Sequence, residues 1–219
     1  MKDRHQARLA VLVAVLLYLA LPQRLTVGPV WVVPVIVGLL LTPLVAMAPT
    51  DARASRLMRG FSIALAAVLN FFNIASVVLL INDLLNTHAS GHGVNAQELI
   101  ESGGSIWITN IIVFALWYWQ LDGEGPFDRE RYASACEAPS IDFLFPQMSI
   151  DRNRVKGVPA NWRPMFIDYL YLSFTNALAV SPTDTMPLTR AAKMLMLVES
   201  LISFATVALI LARSVNILS

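Results

Sequence analysis

Cysteine occurs once in this 219-residue chain, at Cys136, which excludes an internal disulfide and any cysteine-rich metal site. Charge is scarce as well: Asp, Glu, Lys and Arg together make up 14% of the residues, and the formal net charge is +1. Nucleic-acid binding needs a concentrated basic face, so nucleic acid is excluded as a partner. Of the three histidines, His88 and His92 stand four apart, but Gly91 and Gly93 oppose a helix there, and no metal site is assigned. No Gly-rich phosphate loop, Ser/His/Asp set or paired-carboxylate pattern is present, so neither an enzyme nor a cofactor is expected. Without a Gly/Ser-rich linker or an internal repeat, residues 1–219 read as one domain.

Apolar residues fill the space that charge leaves. They make up 56% of the chain, and mean hydropathy is positive. Too much apolar surface remains for a water-facing domain of this size, so the excess must meet lipid. Five runs approach the ~20 apolar residues that a membrane helix needs: 9–23, 30–48, 60–83, 104–121 and 189–213. A sixth, 164–181, is shorter and carries Asp168 and Asn176. At 1.5 Å per residue it reaches about 27 Å, enough to span narrowly or to re-enter. Continuous rather than alternating runs favour helices over a barrel, and Pro34 and Pro43 are tolerated within a membrane. The expected fold is therefore an all-α transmembrane bundle of six segments, or of five plus one re-entrant helix. The first run follows a basic start, as in a secretory signal, but no small-residue cleavage site follows, so it reads as an uncleaved helix.

Basic residues set the orientation. Lys2, Arg4 and Arg8 precede the first run, Arg53, Arg56 and Arg59 follow the second, and the loop 121–163 holds Arg129, Arg131, Arg152, Arg154, Lys156 and Arg163. The segment between the third and fourth runs has neither Lys nor Arg. This alternation places the N-terminus in the cytoplasm. With six crossings the C-terminus is cytoplasmic too, and the stretch Ser181–Pro187 faces outward, with Arg190 and Lys193 opposing the rule. Within the long loop, Phe143, Leu144 and Phe145 suit a short interfacial helix against lipid.

From Tyr169 onward, YLYLSFTN leads to a polar turn, a proline, a basic residue and a long apolar helix. This order resembles the pore module of potassium channels, in which a re-entrant helix precedes the filter and an inner helix follows it. On that pattern Ala179, Val180, Ser181, Pro182, Thr183 and Asp184 stand at filter positions, Ser173 and Phe174 in the lead-in, and Pro187 after the filter. The likeness covers about 164–217. Glycine is missing where a carbonyl ladder needs it, so potassium selectivity of the usual kind is not expected. The chain as a whole resembles a bacterial multi-pass family whose last two helices form a degenerate pore module, which implies the bacterial inner membrane. Read as a plain turn, SPTDTMP has Pro182 ending one helix, Thr183, Asp184 or Thr185 capping the next, and Pro187 in its first turn.

Polar residues within apolar runs are site candidates because membrane depth makes them costly. Glu199 lies inside the last run, and Asn70, Asn73, Thr109, Asn110 and Asn176 lie in others. An ion pathway would use Glu199, Asp184, Asn176, Ser181, Thr183, Asn70 and Asn73. The same residues also suit helix-to-helix hydrogen bonds of about 1 kcal/mol each, and the sequence leaves both readings open. With no Lys or Arg at its depth, Glu199 is expected to face the interior beside at least one of those asparagines. Asp168 is expected to pair with Arg163.

Two functions remain open. One is a channel or transporter that is not potassium-selective; the other is a non-transporting component whose cytoplasmic loop binds a partner. The bilayer and a second copy of the chain are the expected partners. Sidedness can be checked directly. Cys136, the sole thiol, is expected to escape an impermeant maleimide in spheroplasts and to react after lysis. Labelling in intact spheroplasts would reverse the orientation.

Overall fold

The computed structural model describes residues 2–46, 52–90, 96–126, 129, 140–150, 159, 162–178 and 184–218. Cys136, His92, Ser181 and Thr183, on which readings above rest, lie outside them. The helices are α1 (Lys2–Leu19), α2 (Val32–Ala46), α3 (Ala52–Ser90), α4 (Ala96–Leu121), the single turn α5 (Pro146–Ser149), α6 (Phe166–Leu178) and α7 (Arg190–Leu218). Two short strands, β1 (Phe143–Leu144) and β2 (Met186–Pro187), pair antiparallel, with Phe143 opposite Pro187 and Leu144 opposite Met186. The regular structure of the described residues is all-helical apart from this pair. Among the described residues three stretches, rather than the six expected, are long and apolar enough to cross a membrane: Ala54–Leu84, Gln97–Glu124 and Arg190–Ala212.

Helix boundaries follow local chemistry. Pro34 falls in the first turn of α2, where a missing N–H costs little, rather than in the helix interior. Helix α6 begins at Phe166, whose N–H donates to Asp3 of α1, and Asp168 reaches back to accept from the Met165 N–H at 2.7 Å. That reach-back is half of a capping box, and it replaces the expected pairing of Asp168 with Arg163. Thr189 caps α7, its Oγ1 accepting from the Ala192 N–H at 3.2 Å. The cap is thus neither Thr183, Asp184 nor Thr185, and Pro187 belongs to β2 rather than to a helical turn. At the C-terminal end of α2, Arg8 donates to the Leu44 carbonyl at 2.6 Å.

Helix α4 forms the axis. It packs against α1, α3, α6 and α7, while α2 leans on α3. Three consecutive α4 residues, Val113, Phe114 and Ala115, are fully buried, as expected of a helix surrounded on all sides. Helix α7 is the opposite case, with only 17% of its apolar window covered by the rest of the chain.

The end of the bundle that holds the C-terminus of α4 is fastened by one carboxylate. Asp122 Oδ1 accepts from the N–H groups of Asp142 and Phe143, at 2.7 and 3.3 Å, and its Oδ2 accepts from the Tyr169 hydroxyl at 2.5 Å. Asp142 extends the clasp: its carbonyl accepts from the Leu188 N–H at 2.8 Å and its Oδ1 accepts from the Thr189 hydroxyl at 2.6 Å. Arg129 donates to the carbonyls of Trp119 and Asp122 and lies over the Tyr169 ring, 5.3 Å from its centre. Phe143 and Phe145 are buried against Tyr118, Tyr169 and Trp162. The interfacial helix expected there is a buried strand instead, because the two phenylalanines fill the space between α4 and α6.

This clasp decides the path of the chain. Tyr169 near the start of α6 and Thr189 at the start of α7 are both tied to Asp122 and Asp142, so both helices begin at the same end. They run in the same direction, side by side: Ser173 and Asn176 of α6 meet Glu199 and Ser200 of α7. Helix α6 enters the bundle, and the next described residues, 184–189, lie at the end where it began. At 13 residues, α6 rises only about 20 Å, short of the ~30 Å hydrocarbon thickness. Six crossings would put the stretch ending at Pro187 opposite the basic loop, whereas Met186 and Pro187 pair with Leu144 and Phe143 of that loop.

Replacing Asp122 by alanine leaves two backbone N–H groups and the Tyr169 hydroxyl without their acceptor. The loss of stability should be about 3 kcal/mol or more, against about 1 kcal/mol for Thr189→Ala, which removes one cap. Thermal unfolding in detergent would rank the two, and equal effects would show that Asp122 is not the fastening point.

Candidate functional site

Glu199 lies roughly 14 Å along α7 from its first residue, and its side chain is completely enclosed. Oε2 accepts from the Tyr118 hydroxyl of α4 and from the Asn176 amide of α6, the latter at 2.6 Å. Oε1 meets the Ser173 hydroxyl of α6. Asn176 also donates to the Met196 carbonyl at 2.9 Å, and Ser200 donates to the Asn176 carbonyl at 3.3 Å. One carboxyl thus joins three helices. Among the described residues no Lys or Arg contacts it.

The periodicity of α6 makes this possible. Tyr169, Ser173 and Asn176, spaced four and three apart, share the face turned toward α4 and α7. Tyr118 reaches the carboxyl from α4, with its ring packed on Phe143 at 5.1 Å between centres.

Counting protons shows what the site holds. The Ser173 hydroxyl lies within hydrogen-bonding distance of both Glu199 Oε1 and the Ile111 carbonyl, the latter at 2.7 Å. A carbonyl oxygen only accepts, and serine has one proton to give. With that proton on Ile111, the contact between Ser173 and Glu199 is completed by a proton on Glu199. Both oxygens of the carboxyl are then satisfied and the carboxyl is neutral, which suits enclosure without a cation. The arrangement can hold one exchangeable proton, or accept a small cation in its place.

A second polar link lies farther along. Asn73 of α3 donates to Asn110 at 3.2 Å, and Asn110 donates to Ser203 of α7 at 2.9 Å. Of the residues singled out in the sequence, Glu199 and Asn176 are in direct contact, and Asn73 belongs to this second link. Asn70 does not join them, and among the described residues its buried Oδ1 has no hydrogen-bond partner. Asp184 is exposed at the end where the clasp lies, away from Glu199. Sequence reasoning missed Tyr118 and Ser173 as partners of the carboxyl. The spacing of Ser173 and Asn176 was a usable signal, whereas nothing in the run WYWQ marked Tyr118 as a donor. No protein-family model, curated protein or solved structure matches this chain.

Substitutions at position 199 separate shape from charge. Glu199→Gln keeps an acceptor for Tyr118 and Asn176 and a donor for Ser173, so stability should change by no more than about 1 kcal/mol. Glu199→Ala strands three buried polar groups and opens a cavity, and about 3–5 kcal/mol should be lost. Unfolding of both variants in detergent would check this. A large loss in the glutamine variant would mean that Glu199 is held as a carboxylate.

Proposed function

We propose that this chain is an integral membrane protein that moves protons or monovalent cations, with Glu199 as the group that binds and releases them. The observation that carries the reading is a helix that ends inside the bundle beside a buried carboxyl. Helix α6 stops at Leu178, about halfway along α4, and the carbonyls of a helix C-terminus carry partial negative charge. A half-helix end and an acidic side chain together favour a cation at membrane depth. Asn176, in the last turn of α6, contacts Glu199 and so links the two.

In this reading Ala54–Leu84, Gln97–Glu124 and Arg190–Ala212 cross the membrane, the shorter α1 and α2 run between the same two ends of the bundle to make five crossings, and α6 re-enters. The basic end is cytoplasmic. Arg4, Arg8, Arg59 and Arg129 gather there, and Arg190 and Lys193 join them because α7 starts at that end, so they obey the rule they seemed to oppose. At the other end Arg24 is neutralised by Asp83 and Glu98, at 3.3 and 2.8 Å. The exposed Leu197, Leu201 and Phe204 of α7 and Leu9, Leu12 and Leu16 of α1 are the surface that lipid would cover.

A second reading is favoured by the completeness of the Glu199 network. A carboxyl with every contact satisfied also serves as a latch in a non-transporting membrane component. Reconstitution into liposomes separates the two. Flux of protons, sodium or potassium that is lost in a folded Glu199→Gln variant is the expected result. Absence of flux for all three ions, or flux that survives the substitution, would favour the latch.

A further inference from the structure

A separate pocket, open on one side, lies at the basic end and is bounded by α1, α2, α3 and α4. Its polarity is graded. Arg4, Arg8 and Gln120 lie toward the helix ends, whereas Val11, Leu41, Leu65 and Leu116 lie about a turn deeper. Gln120 is buried and, among the described residues, its Oε1 has no hydrogen-bond partner. The nearby carboxylate of Asp3 is already engaged by the Trp119 indole N–H and the Phe166 N–H.

We infer that this pocket binds an anionic phospholipid with a hydroxyl-bearing headgroup, of the phosphatidylglycerol type. The inference rests on the membrane reading above, with the basic end at the cytoplasmic interface, where pockets of this charge take lipid headgroups. The arginines attract the phosphodiester, and the deeper leucines and Val11 match the start of an acyl chain. Gln120 then decides between headgroups. A glycerol hydroxyl both donates and accepts, so it satisfies the amide in either orientation. An ammonium headgroup could reach the same oxygen, but beside the arginines it would meet like charge. A free phosphate would satisfy the arginines yet leave Gln120 and the apolar wall unused.

Native mass spectrometry of the detergent-purified full chain tests this, with phosphatidylglycerol, phosphatidylcholine and glycerol phosphate as probes. Phosphatidylglycerol should bind roughly tenfold or more tightly than phosphatidylcholine. The Arg4→Gln, Arg8→Gln double variant should lose that preference. Because Arg8 also caps α2, Leu41→Trp serves as a second variant: it fills the apolar wall, leaves the arginines in place and should lower occupancy by phosphatidylglycerol. Equal binding of the two lipids would overturn the inference, as would a preference that survives both variants or glycerol phosphate displacing the lipid at equal concentration. Flotation with phosphatidylcholine vesicles isolates the premise. A chain that floats but shows no lipid preference refutes the pocket alone, and a chain that fails to float refutes the membrane reading.

Discussion

Asp122 is the residue on which the architecture turns. A buried carboxylate must be met by donors, and here they come from two backbone N–H groups after the long loop and one hydroxyl on α6. Satisfying it draws the loop back under α4. Asp142 then passes the constraint to Thr189, the cap of α7. Two helices that follow one another in the chain are thereby made to start from the same end. An antiparallel hairpin would be the usual result of a short connection, and the clasp forbids it.

That constraint creates the polar centre. Because α6 and α7 run parallel, residues two or three turns into each lie at the same depth, and Ser173 and Asn176 face Glu199. Had α6 crossed fully, with α7 returning antiparallel, Asn176 would lie near the end at which α7 begins, far from Glu199. The enclosed carboxyl is tolerated because neutral donors from two other helices fill its lone pairs. Removing any one of them would expose the cost of the rest, so the three helices are energetically coupled through a single side chain.

The apolar runs were legible because composition and length suffice to recognise a helix that avoids water. Even so, α1 begins at Lys2 and takes its charged residues into the helix, and α3 extends well beyond the apolar run 60–83. Helix ends were less legible, since caps depend on partners far away in sequence: Asp3 caps a helix that begins at Phe166. Phe143 and Phe145 were misread for the same reason. An apolar stretch in a polar loop fits lipid or core equally well until its neighbours are known.

By itself the sequence determined the helical class, three of the six membrane segments expected from it, the depth of Glu199 within its helix and the need for an asparagine beside it. Each of these follows from local hydropathy or from the cost of burying a charge. Only the tertiary structure decided that α6 turns back, that Tyr118 and Ser173 complete the carboxyl's contacts, and that Asn70 stands apart while Asn73 is engaged. Hydropathy records how deep a residue lies but not which way its helix runs. Direction was fixed by hydrogen bonds across 20 and 47 residues of chain, from Asp122 to Asp142 and from Asp142 to Thr189, and no local pattern encodes them.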